Sequence, residues 1–120
     1  MVEFEAHAAA DYVDEEAAAR ILIFAEKPDG AGLRLELQRA LAPDEQDRAQ
    51  GMDTYAVADA DGAAHYGGIA EWSVDGQTVR IHFDEEAAAV FATDGYEIGI
   101  EAVDIAAPQI RAALETLTSE

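Results

Sequence analysis

The side chains that could carry out chemistry in this chain are mainly carboxylates, because 26 of its 120 residues are Asp or Glu. Paired carboxylates can act as general acid and base, but at this density close pairs arise by chance on a solvated surface. The chain has no cysteine, which excludes a thiol nucleophile, thiolate metal ligands and disulfides. It has no glycine-rich phosphate loop, no nucleophile elbow and no Ser–His arrangement. The sequence therefore offers no positive indication of catalysis.

The sequence gives only weak support for a metal-binding site. The three histidines lack metal-ligand spacing, although His65 and His82, with a carboxylate, could bind zinc or iron from neighbouring strands if supporting hydrogen bonds matched. Residues 57–68 resemble a calcium loop, but Val57 occupies the first ligand position and Gly68 the closing glutamate position. A hairpin turn explains this segment better. We expect no metal ion and no other cofactor.

The net charge indicates which classes of partner the protein can bind. Seven basic residues against 26 acidic ones give a net charge of −19, which repels nucleic acids and anionic membranes. Two interpretations stay open: a surface that attracts a cationic protein, or the composition of a GC-rich genome or salt-adapted proteome. The first twelve residues lack the features of a secretory signal, and no apolar run is long enough to span a bilayer. We expect a cytoplasmic protein.

Alternation of apolar and polar residues predicts most of the elements that would position these groups. Residues 2–7 predict a half-buried edge strand, whereas the small and acidic residues 8–16 predict a loop. The segment 18–25 is almost continuously apolar, which is typical of a strand buried on both faces. The other predicted strands cover 33–38, 54–58, 65–74, 77–83 and 96–102.

Asp, Pro and Gly residues predict the positions of the turns and of the helix ends. Residues 27–30 and the Asp-Gly pairs at 61–62 and 75–76 predict turns, and 42–51 predict a loop with one or two helical turns. Asp84 is expected to cap a short helix near 84–92, closed by Gly95. A last helix near 105–118 presents four apolar residues on one face: Ile110, Ala113, Leu114 and Leu117. We predict one α+β domain over 1–120, mostly β, with an antiparallel meander sheet of about seven or eight strands.

The middle of the chain is rich in polar residues with directional hydrogen bonding, interleaved with tyrosines of the kind that anchor interfaces. A functional interpretation places them at an interface. The alternative is that Arg39 and Asp53 pair to fasten the long loop while Tyr55 and Tyr66 pack beneath it. Consecutive glycines at 67–68 predict a bulge or a close backbone approach.

These segments also resemble the immunity protein 10 family of bacterial polymorphic toxin systems. The resemblance rests on Leu-Gln-Arg-Ala-Leu at 37–41, Asp-Glu-Gln-Asp at 44–47, Gly-Met-Asp-Thr-Tyr at 51–55 and Tyr-Gly-Gly-Ile at 66–69, and it covers about 18–103. Ala56 and Ala58 stand where larger strand residues are expected. The resemblance implies a cytoplasmic protein that binds and neutralises a cognate toxin, with no catalytic residue and no cofactor.

The leading hypothesis is thus a non-enzymatic immunity protein that forms a tight complex with a toxin, and the charge favours a cationic toxin such as a nuclease. We expect the loop 43–51 and the carboxylates beside it to form the contact surface. The alternatives are an enzyme domain that binds a small molecule or metal in a pocket near Asp53, Tyr55 and Tyr66, or a salt-adapted domain of unknown role. The candidate partner-binding residues are Gln38, Arg39, Asp44, Glu45, Gln46, Asp47, Asp53, Tyr55 and Tyr66.

Overall fold

The computed structural model of the chain describes residues 1–42, 45, 49 and 54–119. Its strands form two sheets. The four-stranded sheet contains β1 (Val2–Glu5), β7 (Ile69–Asp75), β8 (Thr78–Phe83) and β9 (Gly95–Gly99) in the order β1, β9, β8, β7. The strands β7, β8 and β9 are antiparallel neighbours, while β1 lies parallel to β9 at the edge.

The second sheet is a five-stranded antiparallel meander in chain order. It contains β2 (Ala8–Asp14), β3 (Ala19–Ala25), β4 (Arg34–Ala40), β5 (Ala56–Asp59) and β6 (Ala64–Tyr66). The helices that lie wholly within the described ranges are α1 (Glu85–Phe91) and α2 (Ala107–Thr118). Neither helix is long and apolar enough to cross a bilayer, as judged over the described residues.

The inner faces of the two sheets and one face of α2 share a cluster of buried apolar side chains. The helix α2 contacts β7 of one sheet and both β3 and β4 of the other, so it packs across both sheets. Each large buried side chain stabilises the fold by roughly 1.5–3 kcal/mol. The face of α2 in this cluster is the predicted one: Ile110, Ala113, Leu114 and Leu117.

The mostly β, α+β architecture and the antiparallel meanders are confirmed. The described ranges contain nine strands rather than seven or eight, arranged in two sheets rather than one. Part of the difference is β2, which the composition of 8–16 predicted as a loop. Its small and acidic residues have low strand propensity, but pairing along the whole of β3 overrides that preference.

The predicted strand 65–74 is in fact two strands in different sheets, β6 and β7. The chain crosses between the sheets at Gly67 and Gly68, which both have positive φ, +70° and +96°. A Cβ on Gly68 would lie 2.6 Å from the Ala87 Cβ of α1. The glycine pair therefore marks a close approach, as predicted, at a crossover rather than at a bulge within one strand.

The predicted start of α1 is confirmed, but its predicted end is wrong. Asp84 caps the helix by accepting a hydrogen bond from the Ala87 N–H (2.9 Å). The helix ends at Ala92 in the left-handed conformation (φ 56°), not at Gly95. Gly95 begins β9, where a Cβ would lie 2.0 Å from the Ile81 carbonyl oxygen. The helical turns predicted in 42–51 lie largely outside the described residues, of which Glu45 and Ala49 are helical.

Candidate functional site

Strand β4 separates two of the predicted site residues, because successive side chains in a strand point to opposite faces. Leu35, Leu37 and Arg39 face the core cluster, and Leu35 and Leu37 are fully buried. Gln38 points the other way and is exposed. Gln38 and Arg39 therefore cannot belong to one flat contact surface.

Arg39 has its hydrogen-bond partners within the chain. Its Nη1 donates to the carbonyl oxygens of Leu117 (3.0 Å) and Ser119, at the carboxyl end of α2, where a cation also complements the helix dipole. Arg20 lies directly opposite on β3 and forms an ion pair with Asp11 (3.1 Å). Both arginines line a cavity of about 250 Å³ beside the end of α2.

Tyr55 is likewise placed for a structural role. Its side chain is buried, and its hydroxyl accepts a hydrogen bond from the Ile69 N–H (3.0 Å). Ile69 directly follows the glycine crossover, so this bond fixes the start of β7 relative to β5. Burial raises the pKa of the Tyr55 hydroxyl, and the nearby Asp84 carboxylate adds to the increase.

The face of the five-stranded sheet that points away from the core cluster, here called the outer face, collects the exposed candidates. Gln38 pairs with Ala56, which pairs with Tyr66. On the other side of Gln38, the same row continues through Ile21 to Tyr12. Tyr12 and Tyr66 are 46% and 45% exposed, so two tyrosines stand at opposite ends of this row.

The outer face is mostly apolar. Its charged side chains are Asp14, Arg34 and Glu36, so it is nearly neutral on a chain of net charge −19. An exposed face of an antiparallel sheet is ordinarily polar, and contiguous exposed apolar area is typical of interaction sites. The exposed or partly exposed apolar members are Ala8, Ala10, Tyr12, Ile23, Ala40, Ala56, Ala58, Ala64 and Tyr66. Ala19, Ile21 and Ala25 lie on the same face but are buried, so β3 is largely buried on both faces, as predicted.

Two hollows indent the outer face on either side of Gln38 and Tyr66, which line both of them. One is a cavity of about 180 Å³ that Glu36, Ala58 and Ala64 complete, and the other, of about 150 Å³, extends towards Ala19 and Ala40. Ala56 lies between the hollows and lines both. The small side chains at 56 and 58 thus leave room where larger strand residues were expected.

The outward face of the four-stranded sheet has the opposite character. Its side chains include Glu3, Glu71, Asp75 and Glu97 around Arg80, whose Nε donates to the Glu97 Oε1 (2.8 Å). A hydrogen bond to Glu97, together with repulsion from it, raises the pKa of Glu3. Hydrogen bonds from Glu3 and Arg80 lower the pKa of Glu97. His82 is exposed on the same face, as predicted.

A metal centre has little support in this geometry. His65 contacts the Gly67 carbonyl through Nδ1 (3.2 Å) and Glu86 through Nε2 (3.7 Å). In the part of the chain that the structure describes, no three His, Asp or Glu side chains group as a metal site. Tyr55 and Tyr66 also line different cavities, the former one of about 420 Å³ beside Gly67 and Trp72. The single pocket envisaged near both tyrosines is therefore not formed by them.

Of the nine candidates, the structure brings Gln38 and Tyr66 together on the outer face and turns Arg39 and Tyr55 inwards. Glu45 is exposed. Asp44, Gln46, Asp47 and Asp53 lie outside the described residues, as does any Arg39–Asp53 pair. Sequence reasoning missed Tyr12, because only the recognition of β2 as a strand aligns it with Gln38 and Tyr66.

Comparison with known proteins agrees with the resemblance found in the sequence. The family model described as Immunity protein 10 matches residues 5–110, which is nearly the whole chain. No curated protein matches the chain, and no solved structure matches it either. Because the family match spans far more than half of the residues, the chain belongs to the immunity protein 10 family.

Proposed function

We propose that this protein is an immunity protein that neutralises a cognate toxin by forming a tight, non-enzymatic complex with it in the cytoplasm of the producing cell. Family membership over residues 5–110 is the observation that carries the proposal. The nearly neutral, apolar outer face supports it, because such a face suits burial against another protein. The whole chain, residues 1–120, acts as one binding domain.

The partner in this proposal is cationic. A net charge of −19 attracts a positively charged protein over long range and raises the rate of encounter. A nuclease would fit, because its substrate cleft must attract phosphates. An acidic inhibitor bound over such a cleft would block it by charge and by bulk. The same charge disfavours nucleic acids and anionic membranes as partners.

The contact surface in this proposal is the outer face around Gln38 and Tyr66, together with the loop carboxylates. Tyr66 supplies a half-exposed aromatic anchor beside two hollows, which is the arrangement found at interface hot spots. Arg39 and Tyr55 support this surface from the core side. The loop residues assigned to it are Asp44, Glu45, Gln46, Asp47 and Asp53.

Co-expression with the toxin domain encoded by the neighbouring reading frame tests the proposal. Growth should be rescued, and the purified pair should form a stoichiometric complex. Its association rate constant should fall steeply between 50 and 500 mM salt. No rescue, no complex or a salt-insensitive rate constant would contradict the proposal.

Matched variants locate the contact surface. Tyr66→Ala should weaken binding by about 2 kcal/mol if Tyr66 is an anchor, whereas Ser73→Ala on the other sheet should leave affinity unchanged. Replacing Asp44, Glu45 and Asp47 together by Ser should slow association and leave thermal unfolding nearly unchanged. Unfolding of this triple variant would instead make the segment a structural brace.

A further inference from the structure

The strand β2 presents a free edge. It pairs with β3 over seven residues, and in residues 1–42 and 54–119 no strand pairs with its other side. The opposite edge strand, β6, has only three residues and contacts α1, while β7 at the edge of the other sheet contacts α2. β2 is therefore a long edge without a helix packed on it among the described elements.

The alternation of hydrogen bonds along β3 shows which backbone groups of β2 have no partner in the sheet. The Glu26 N–H donates to the Leu33 oxygen (2.8 Å), and the Leu41 N–H donates to the Ala18 oxygen (2.8 Å). Because antiparallel hydrogen bonding alternates residue by residue, the even-numbered residues of β3 face β4 and the odd-numbered ones face β2.

The partners of those odd-numbered residues, Ala8, Ala10, Tyr12 and Asp14, direct their backbone groups towards β3. The N–H and C=O groups of Ala9, Asp11 and Val13 then point away from the sheet. They form a row along the edge in which every second residue offers one donor and one acceptor.

The side chains on β2 do little to protect this edge. Natural edge strands are usually blunted by Pro, Lys, bulges or inward-pointing charges, but β2 contains neither Pro nor Lys, and its paired register is continuous. Its one inward-facing charge, Asp11, is neutralised by Arg20. Tyr12 and Val13 flank the edge on opposite faces and are 46% and 50% exposed.

We propose that an extended segment of the toxin adds to β2 as a further strand of this sheet. The inference rests on the proposed function and specifies how the partner is held. Main-chain hydrogen bonds to Ala9, Asp11 and Val13 supply the pairing, and apolar side chains of the incoming segment cover Tyr12 and Val13.

The incoming segment carries basic residues where it passes the end of β2. Asp14 is followed there by the exposed Glu15 and Glu16, a run of carboxylates that opposes lysine or arginine favourably. A second copy of this chain is disfavoured, because two chains of net charge −19 repel each other at long range.

Residue-resolved amide hydrogen exchange on the isolated protein and on its complex with the toxin domain of the neighbouring reading frame tests this directly. The amides of Ala9, Asp11 and Val13 should exchange quickly in the free protein and become protected in the complex. Those of Ala10 and Tyr12 should be protected in both states.

A variant pair supplies the second measurement. Ala9→Pro removes an outward N–H, which an edge strand tolerates, and should raise the Kd for the toxin domain about tenfold. Ala9→Gly is the control, because it also weakens the strand but keeps the N–H. Its Kd should stay near the wild-type value.

The outcomes separate the two proposals. A complex in which Ala9, Asp11 and Val13 stay unprotected, or one to which Ala9→Pro binds as tightly as Ala9→Gly does, overturns the inference and leaves the proposed function standing. Protection of these amides in a dimer of the free protein also overturns it. Absence of any complex refutes the proposed function and this inference with it.

Discussion

Replacing Tyr55 by Phe tests the structural role of this tyrosine. The change deletes one oxygen atom and leaves the Ile69 N–H, now 3.0 Å from that oxygen, without an acceptor. An unsatisfied buried donor costs about 1–3 kcal/mol. Tyr55 is only 7% exposed, but it and Ile69 line the cavity of about 420 Å³, from which water can partly replace the hydroxyl. We therefore expect a loss in the lower half of this range, about 1.5 kcal/mol. For a chain of this length that corresponds to a fall in Tm of roughly 6 °C.

Thermal and urea unfolding followed by circular dichroism measure this loss, and Tyr66→Phe is the matched control. The Tyr66 side chain is 45% exposed, so removing its hydroxyl should change stability by no more than about 0.5 kcal/mol. Equal stability of Tyr55→Phe and Tyr66→Phe would show that the Tyr55 hydroxyl has no such structural role. A Tyr55→Phe variant that loses affinity for the toxin domain without losing stability would place this hydroxyl in the contact surface instead.

Alkaline pH provides a second test, which concerns the burial of Tyr55. Burial raises the pKa of both Tyr55 and Tyr96, so the folded state holds these protons more tightly than the unfolded state does. The resulting stability is fully present below the unfolded tyrosine pKa of about 10 and is lost as pH rises through the higher folded values. Tyr55→Phe should therefore show a shallower loss of stability above pH 10 than the wild type does.

Other contacts give further expectations. Arg39→Ala should lower stability by about 2 kcal/mol, because it removes charged hydrogen bonds to the end of α2, and Arg39→Lys should recover part of this in urea unfolding. Asp59→Ala should cost about 2 kcal/mol, since Asp59 accepts from two backbone N–H groups in the β5–β6 turn, whereas Asp59→Asn should cost less. Glu3→Gln should raise Tm at pH 7 by relieving repulsion from Glu97, and the gain should shrink as pH falls through the raised pKa of Glu3, because the wild-type side chain then becomes neutral too.

The parts of the fold that the sequence predicts correctly depend on neighbouring residues. Asp84 caps α1 through an N–H only three residues away. The turns at 61–62 and 75–76 need only a glycine with positive φ. The errors arise where distant residues decide: β2 is a strand because β3 pairs with it. The glycine pair at 67–68 is visible in the sequence, but the sheet to which each flanking strand belongs is not.

The candidate site shows the same division. The aromatic and polar character of Gln38 and Tyr66 is evident from residue type, but their adjacency follows from the β4–β5–β6 register. Alternation places Arg39 on the same side of β4 as Leu35 and Leu37 once the predicted strand 33–38 is extended, but its partner Leu117, 78 residues away, could not be predicted from the sequence. Tyr12 was missed for the reason that β2 was missed.

The outward faces of the two sheets have different roles in the proposed function. Burying carboxylates against a partner carries a desolvation cost that their attraction does not always repay. The outer face, with its alanines and two tyrosines, can lose water at little cost, whereas the face around Glu3 and Glu97 stays solvated. Long-range attraction then sets the association rate while apolar contacts set the dissociation rate. Charge substitutions near Glu97 should therefore alter only the speed of capture, and substitutions at Tyr66 only the lifetime of the complex.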